Sequence, residues 1–354
     1  MFFGNGGKMR EEILAGFAAA VLLICIPMAA ARNAGLPAAE ETTQPAGESA
    51  PWTEEETAAE TTQSPASAEA GFDEAFSLPV LQDGKVVSMD LHTYLVGTLL
   101  AEMPTSFAPE ALKAQAVACR TYTLRQYRSK KHGSAAVCTD SACCQGWKSP
   151  ESWDPEGVEK AEQAVADTDG DVAVYDGALI DATFFSCSGG KTEAAVAVWG
   201  SDLPYLQSVE SPGEEAAAHY EDSVSVSPES FCSTLQQADP QADFSGDMNQ
   251  WVGQITYTEG NGVATAVLGG RVFTGVQLRR LFHLNSTQFT ISVTDYITFC
   301  TKGFGHRVGM SQYGADAMAR QGNTYVQILQ WYYQGAKVKK LLRFTSEQLS
   351  FAES

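Results

Sequence analysis

The chain has 354 residues, with 43 acidic against 23 basic side chains and a formal net charge of -20. That length allows one large or two ordinary domains and excludes a mini-protein scaffold dependent on cross-links. Such a charge repels a phosphate backbone, so a nucleic-acid partner bound through a general basic surface is excluded and a neutral or mixed-charge substrate fits better.

Ile13 to Ala31 form a run of 19 residues without a charge. As a helix this run spans roughly 28 Å, close to the hydrocarbon thickness of a bilayer. Residues 1–32 are therefore predicted to be a cytoplasmic N-terminus and single transmembrane anchor. Lys8 and Arg10 precede the run and only Arg32 follows it, so the body is placed outside the cytoplasm. A cleavable signal peptide ending at Ala29–Ala31 is the competing reading. Residues 33–72 hold eight Glu and no Lys or Arg among Thr, Ala, Pro and Ser, which predicts an acidic, disordered linker.

Apolar periodicity returns over 73–345, predicted as one extended domain, and 346–354 are left as a tail. Strands are expected within 79–89, 169–187, 253–270 and 288–301, where apolar alternation is cut by Asp-Gly, Gly-Gly and Gly-Asn-Gly turns. Helices are expected at 90–103, 109–128, 156–166, 314–321 and 324–333. That order lacks regular βαβ units, so the fold class is α+β.

Three constellations carry candidate chemistry. In the first helix, Leu91, Leu95, Thr98 and Glu102 share a stripe, so Glu102 occupies a position where an apolar residue is expected. Burial raises a carboxyl pKa, as a general acid working near neutrality requires; a solvated helix-end Glu is the plain alternative. Lys113 and Arg120, seven residues apart on the next helix, share a face and are expected to flank a carboxyl or a polar ligand, against an ordinary solvated face. Next, His132, Cys138 and Cys144 follow one another with five residues between each on a Gly/Ser-containing loop, with Cys143 as a spare. This donor set suits Zn²⁺, and a disulfide or free thiols are the alternatives. Finally, the Gly-rich stretches FFSCSGGKTE and GFGHRVGMSQYGADAMARQG follow strands and present hydroxyl, amide and imidazole groups, as a polar cleft does. A Ser188 or Cys187 nucleophile with His306 as base lacks a recognised nucleophile signature, and His306 also reads as a structural histidine.

Four blocks resemble the SpoIID/LytB family: LHTYLVGTLLAEMPTSFAPEALKAQAVACRTYTL, ATFFSCSGGKTEAAVAVWGSDLPYLQSVESPGEE, GGRVFTGVQLRRLFHLNSTQFTI and GHRVGMSQYGADAMARQGNTYVQILQWYYQGAKV, together spanning roughly residues 78–342. The resemblance is to its sporulation branch of peptidoglycan lytic transglycosylases. It implies Glu102 as the catalytic acid, Lys113 and Arg120 as supporting residues, and Ser188, Tyr205, His306, Ser311, Gln312 and Tyr313 in the cleft. It further implies denuded glycan strands as substrate, and as partners a membrane-bound sporulation amidase and a multi-spanning sporulation membrane protein at the engulfing septum. A zinc on the Cys-rich loop, structural rather than catalytic, is expected beside this, and oligomeric state stays open between monomer and homo-oligomer. The rival function is a non-catalytic, wall-binding activator of an N-acetylmuramoyl-L-alanine amidase. A glycosidase of the usual kind needs two carboxyls, and the motifs supply one; one suffices if the nucleophile belongs to the substrate. Asp181, Glu193 and Asp316 are the reserve carboxyls should a second be needed.

Overall fold

The computed structural model describes residues 71–129, 131–345 and 348–352. The stretch expected to be an anchor, and the expected acidic linker up to residue 70, lie outside the described residues. Among those described, no helix is long and apolar enough to cross a membrane.

Helix α1 (Phe72–Ala75) leads into the hairpin β1 (Ser77–Gln82) and β2 (Lys85–Asp90), then α2 (Leu91–Glu102) and α3 (Pro109–Ser129). Asp90 caps α2 by accepting the Thr93 N–H, and Pro104, two residues beyond the helix end, cannot continue it. Leu91, Tyr94, Leu95, Val96, Leu99 and Leu100 are all buried, so α2 is apolar around most of its girth and runs through the core. β3 (Val137–Cys138) adds in parallel to β1, and α4 (Pro155–Asp167), capped by Asp154, packs on α2 and α3.

β4 (Asp171–Tyr175), β5 (Ala178–Leu179), β6 (Phe184–Phe185) and α5 (Ala195–Trp199) follow. A second group comprises β7 (Glu221–Val226), α6 (Pro228–Ala238), β8 (Val252–Tyr257), β9 (Val263–Leu268), β10 (Arg271–Thr274), α7 (Gly275–Leu281), β11 (Gln288–Val293) and β12 (Ile297–Lys302). The chain then returns through β13 (Met310–Ser311), α8 (Gln312–Arg320), α9 (Tyr325–Tyr332), β14 (Lys337–Phe344) and β15 (Leu349–Phe351). Sheet orders are β2-β1-β3, β10-β9-β8, β11-β12-β7, β13-β6 and β15-β14-β4-β5. The architecture is mixed α+β, with antiparallel pairing except at β1–β3 and β6–β13.

The described residues belong to one compact unit with two hydrophobic cores. α2, α3, α8, α9 and β4 enclose the first. Phe231, Phe282, Phe289 and Phe299 dominate the second, with the Phe282 and Phe299 rings 4.7 Å apart. Within the stretch expected as a tail, Leu349–Phe351 form β15, which pairs with β14 and so occupies backbone groups on that edge.

Arg120 corrects one expectation. Its guanidinium is fully buried and donates to both oxygens of Asp73, which is 1% exposed, and to the Asp171 and Val165 carbonyls. Lys113 pairs with Asp167 at 2.8 Å and Glu110 at 3.1 Å. The seven-residue spacing does set both on one face of α3, but that face meets α1 and α4 rather than Glu102. Arg120→Ala strands a buried carboxylate and should cost about 3–5 kcal/mol of stability, read by urea denaturation; a loss under 1 kcal/mol would contradict this role.

Candidate active site

Glu102 is the last residue of α2 and remains partly open to solvent. Its Oε1 accepts the Gly146 N–H at 2.5 Å. Burial raises its pKa above the ordinary carboxylate value, and the Gly146 hydrogen bond only partly opposes that. The negative end of the α2 dipole acts in the same direction as burial. Gln312, the first residue of α8, donates its side-chain amide to the Glu102 carbonyl at 3.0 Å, satisfying one of the helix-end acceptors.

Gly146 is delivered by the Cys-rich loop. His132 Nε2 and the thiols of Cys138, Cys143 and Cys144 all lie within 4.8 Å of one another. The imidazole is 3.2 Å from the Cys144 sulfur and 3.7 Å from that of Cys143. Register fixes this cluster: Cys138 sits on β3 opposite Leu81, and the Asp140 carbonyl accepts from the N–H groups of Cys143 and Cys144 in a tight turn. The seven described cysteines are free thiols. Beyond the cluster, Gln145 accepts from Thr123, and the Lys148 N–H donates to the Gly97 carbonyl. Gly97 permits that approach, since a Cβ there would overlap the Trp147 indole and the Lys148 carbonyl.

The other motif residues divide. Tyr313 packs edge-on against Phe107, ring centroids 5.0 Å apart, and keeps part of its surface exposed. Ser311 is buried, caps α8 through Gly314 and donates to the Ser186 carbonyl. Tyr205, 8% exposed, accepts the Asp181 N–H. Ser188, expected in the cleft, is fully buried: its hydroxyl donates to Glu214 Oε2 at 2.7 Å, as do the N–H groups of Ser188 and Gly189. With that hydroxyl spent on a carboxylate in the protein interior, Ser188 is not a ligand contact.

His306 lies between the rings of Phe185 and Trp199, and its Nδ1 accepts from Val308. Burial pushes its pKa down to about 3, so the ring is neutral near pH 7, and its Nε2 has no hydrogen-bond partner among the described residues. Two reserve carboxyls are also committed. Glu193 pairs with buried Arg307, and Asp316 accepts the Ala108 N–H and pairs with Arg320. Asp181 faces Arg125 at 3.6 Å, and burial raises its pKa. Sequence reasoning did not find Gly97 or Gly146, whose contributions are a missing side chain and a backbone N–H.

Residues 82–175, which carry Glu102 and the thiol cluster, match the SpoIID family model, described as "Stage II sporulation protein". Stage II sporulation protein D of Bacillus subtilis is 36% identical over 287 residues, covering 77% of this chain and 82% of that protein. The chain belongs to the SpoIID family. Stage II sporulation protein D of Bacillus amyloliquefaciens is likewise 36% identical, over 288 residues, with 77% and 82% covered. A protein named amidase enhancer, from B. subtilis, is 30% identical over 292 residues, covering 68% of this chain and 39% of that protein.

In this SpoIID chain the segment carrying Gly146 rests on α2 only because Gly97 is bare. Gly97→Ala should therefore cost about 1–3 kcal/mol through overpacking and speed amide exchange at residues 146–148. Unchanged exchange there, with the melting temperature also unchanged, would disprove the contact.

Proposed function

We propose that this SpoIID chain is a lytic transglycosylase that cuts peptidoglycan glycan strands, preferentially those denuded of stem peptides, during engulfment in a sporulating cell. The observation that carries the reading is Glu102, a partly buried carboxyl of raised pKa held by the Gly146 N–H, while Glu193 and Asp316 are paired with Arg307 and Arg320 and Asp181, also raised by burial, faces Arg125. Glu102 acts first as acid, protonating the glycosidic oxygen as the bond to C1 breaks. The resulting carboxylate takes the proton of the muramic acid C6 hydroxyl as that oxygen closes onto C1. The donor is restored, the product end is 1,6-anhydromuramic acid, and no water enters. Gly146 holds the carboxyl in place, Gln312 fixes the helix end behind it, and Tyr313 offers an amphipathic ring to the sugar. With the apolar run at 13–31 read as an anchor, the domain works outside the cytoplasm at the engulfing membrane, where a membrane-bound amidase and a multi-spanning sporulation protein are its proposed partners.

Glu102→Gln keeps shape and hydrogen bonding but has no acid proton, so cleavage of denuded strands should fall by about 10²- to 10⁴-fold while binding persists. Wild-type product ends formed in H₂¹⁸O should carry no label. The acid must be protonated to act, so kcat/KM should fall as pH rises through the Glu102 pKa, on a limb displaced upward from the ordinary carboxylate range. Full activity in Glu102→Gln, or labelled reducing ends, would reject the assignment. The name of the amidase-enhancer relative favours a second reading, a wall-binding activator without its own catalysis. That reading expects wild type and Glu102→Gln to stimulate an amidase equally, with no anhydro product from either.

The donor set of His132, Cys138, Cys143 and Cys144 fits zinc: bonds of about 2.0–2.3 Å in a tetrahedron place donors about 3.5–3.8 Å apart, and these four start within 4.8 Å of one another. Zinc there supplies a structural cross-link. The loop so tied keeps the Gly146 N–H on Glu102. Purified protein should hold about one zinc per chain, and Cys138→Ser and Cys144→Ser should each lose most of it by elemental analysis. Unchanged zinc in both variants would rule these ligands out.

A further inference from the structure

A concavity lies on the group of elements around the Phe-rich core and shares no residue with the Glu102 site. Its volume is about 780 Å³. The floor is the outward face of the β11-β12-β7 sheet, where register alternates chemistry cleanly. Phe289 and Thr301, each 2% exposed, point into the protein, whereas Gln288, Lys302 and Glu221 form one outward row and Thr290, Cys300 and Ser223 the next. One wall is the turn after β8, carrying Tyr257 and Asn261.

Three features select the occupant. Tyr257 leaves 54% of its surface exposed, an amphipathic platform of the kind used against the C–H face of a sugar ring. The Gln288 Oε1 is buried against Gly189 and has no hydrogen-bond partner in the protein. An acceptor left in that state costs stability, and a turn of the Gln288 carboxamide toward the groove would let the N–H of an acetamido group or a hydroxyl satisfy it. Lys302 pairs with Glu221 at 2.9 Å, and Asp222, which accepts from the neutral Asn285 amide at 2.8 Å, leaves the lining one negative charge. A groove of hydroxyls, the amides of Gln288 and Asn261 and one exposed aromatic ring, with one residual negative charge, repels a peptide rich in carboxylates and complements an uncharged polar ligand.

We propose that this groove is a second carbohydrate subsite, which holds an N-acetylated glycan segment apart from the point of cleavage. The proposal rests on the reading of the chain as a glycan-cutting enzyme, and it gives that enzyme a grip on a strand away from Glu102. Buried Arg307 bridges the loop at Ser188 and Lys191 to the turn at Gly260, beside the Asn261 wall of the groove.

The test uses the full chain carrying Glu102→Gln, so that binding is read without turnover. Chitohexaose, an uncharged N-acetylglucosamine hexamer, is titrated calorimetrically into this protein and into versions that also carry Tyr257→Ala or Gln288→Leu. Tyr257 is largely exposed, so Tyr257→Ala leaves the fold intact, and the melting temperature checks both variants. Affinity should fall by about tenfold in each, as expected on removing an aromatic platform or a buried polar contact. Unchanged hexamer affinity in both folded variants would overturn the proposal, as would a groove that takes the stem peptide and ignores the hexamer. Failure of the cleavage reading would appear separately, as absent anhydro product from the chain with Glu102 intact.

Discussion

Arg307 is the fixture on which the molecule's arrangement depends. Its side chain has no solvent exposure, and its guanidinium donates to the Ser188, Lys191 and Gly260 carbonyls at 2.6, 2.7 and 2.6 Å, with Glu193 3.3 Å away. A planar fork suits that task, because it reaches several acceptors at fixed angles where a lysine would reach one. The residue also holds a left-handed backbone, φ 66°, which costs a non-glycine residue roughly 1–2 kcal/mol and persists because the surrounding bonds over-determine it. Glu193, in turn, accepts from Thr258 and Gly262, so the pair joins the loops of one core to the turn of the other.

Polar letters in the Gly-rich motifs thus serve two ends. Ser188, Ser211, Glu214 and Tyr332 form a continuous interior network: Ser188 and Ser211 donate to opposite oxygens of Glu214, and Ser211 and Tyr332 share a 2.6 Å contact. Such a network is stable only when every member is satisfied, and it then specifies one packing. Gln312, by contrast, bonds the Glu102 carbonyl, and Tyr313 beside it packs on Phe107. The motif as written does not separate these populations, since both use the same residue types next to glycine.

What the sequence made legible follows from how local each signal is. α2, α3 and α4 were readable because Pro104, Pro109 and the Asp154-Pro155 pair punctuate them. α7 was overlooked although Thr274 and Gln277 form a capping box, because the strand-like run before it dominated the pattern. α6 was missed for a similar reason, with polar Ser, Thr and Gln diluting its stripe around Phe231 and Leu235. The donors at 132, 138 and 144 were visible as spacing, yet the choice between Cys143 and Cys144 was not. Adjacent residues normally diverge, and only the turn at Asp140 brings both thiols round. Lys113 and Arg120 show the limit of periodicity: it assigns residues to a common face and leaves open what that face meets.

The bond between Glu102 and Gln312 closes a separation of 210 residues, and Ala108 with Asp316 and Tyr325 with Glu110 close separations of 208 and 215. Contacts so distant along the chain are expensive in loop entropy and form late. During synthesis the helix bearing Glu102 is made long before the helices that brace its end. The carboxyl gains its final setting only when the last stretch of chain arrives. A nascent or truncated chain therefore carries the acid without its mount, so competence arrives with completion of the fold rather than with appearance of the residue.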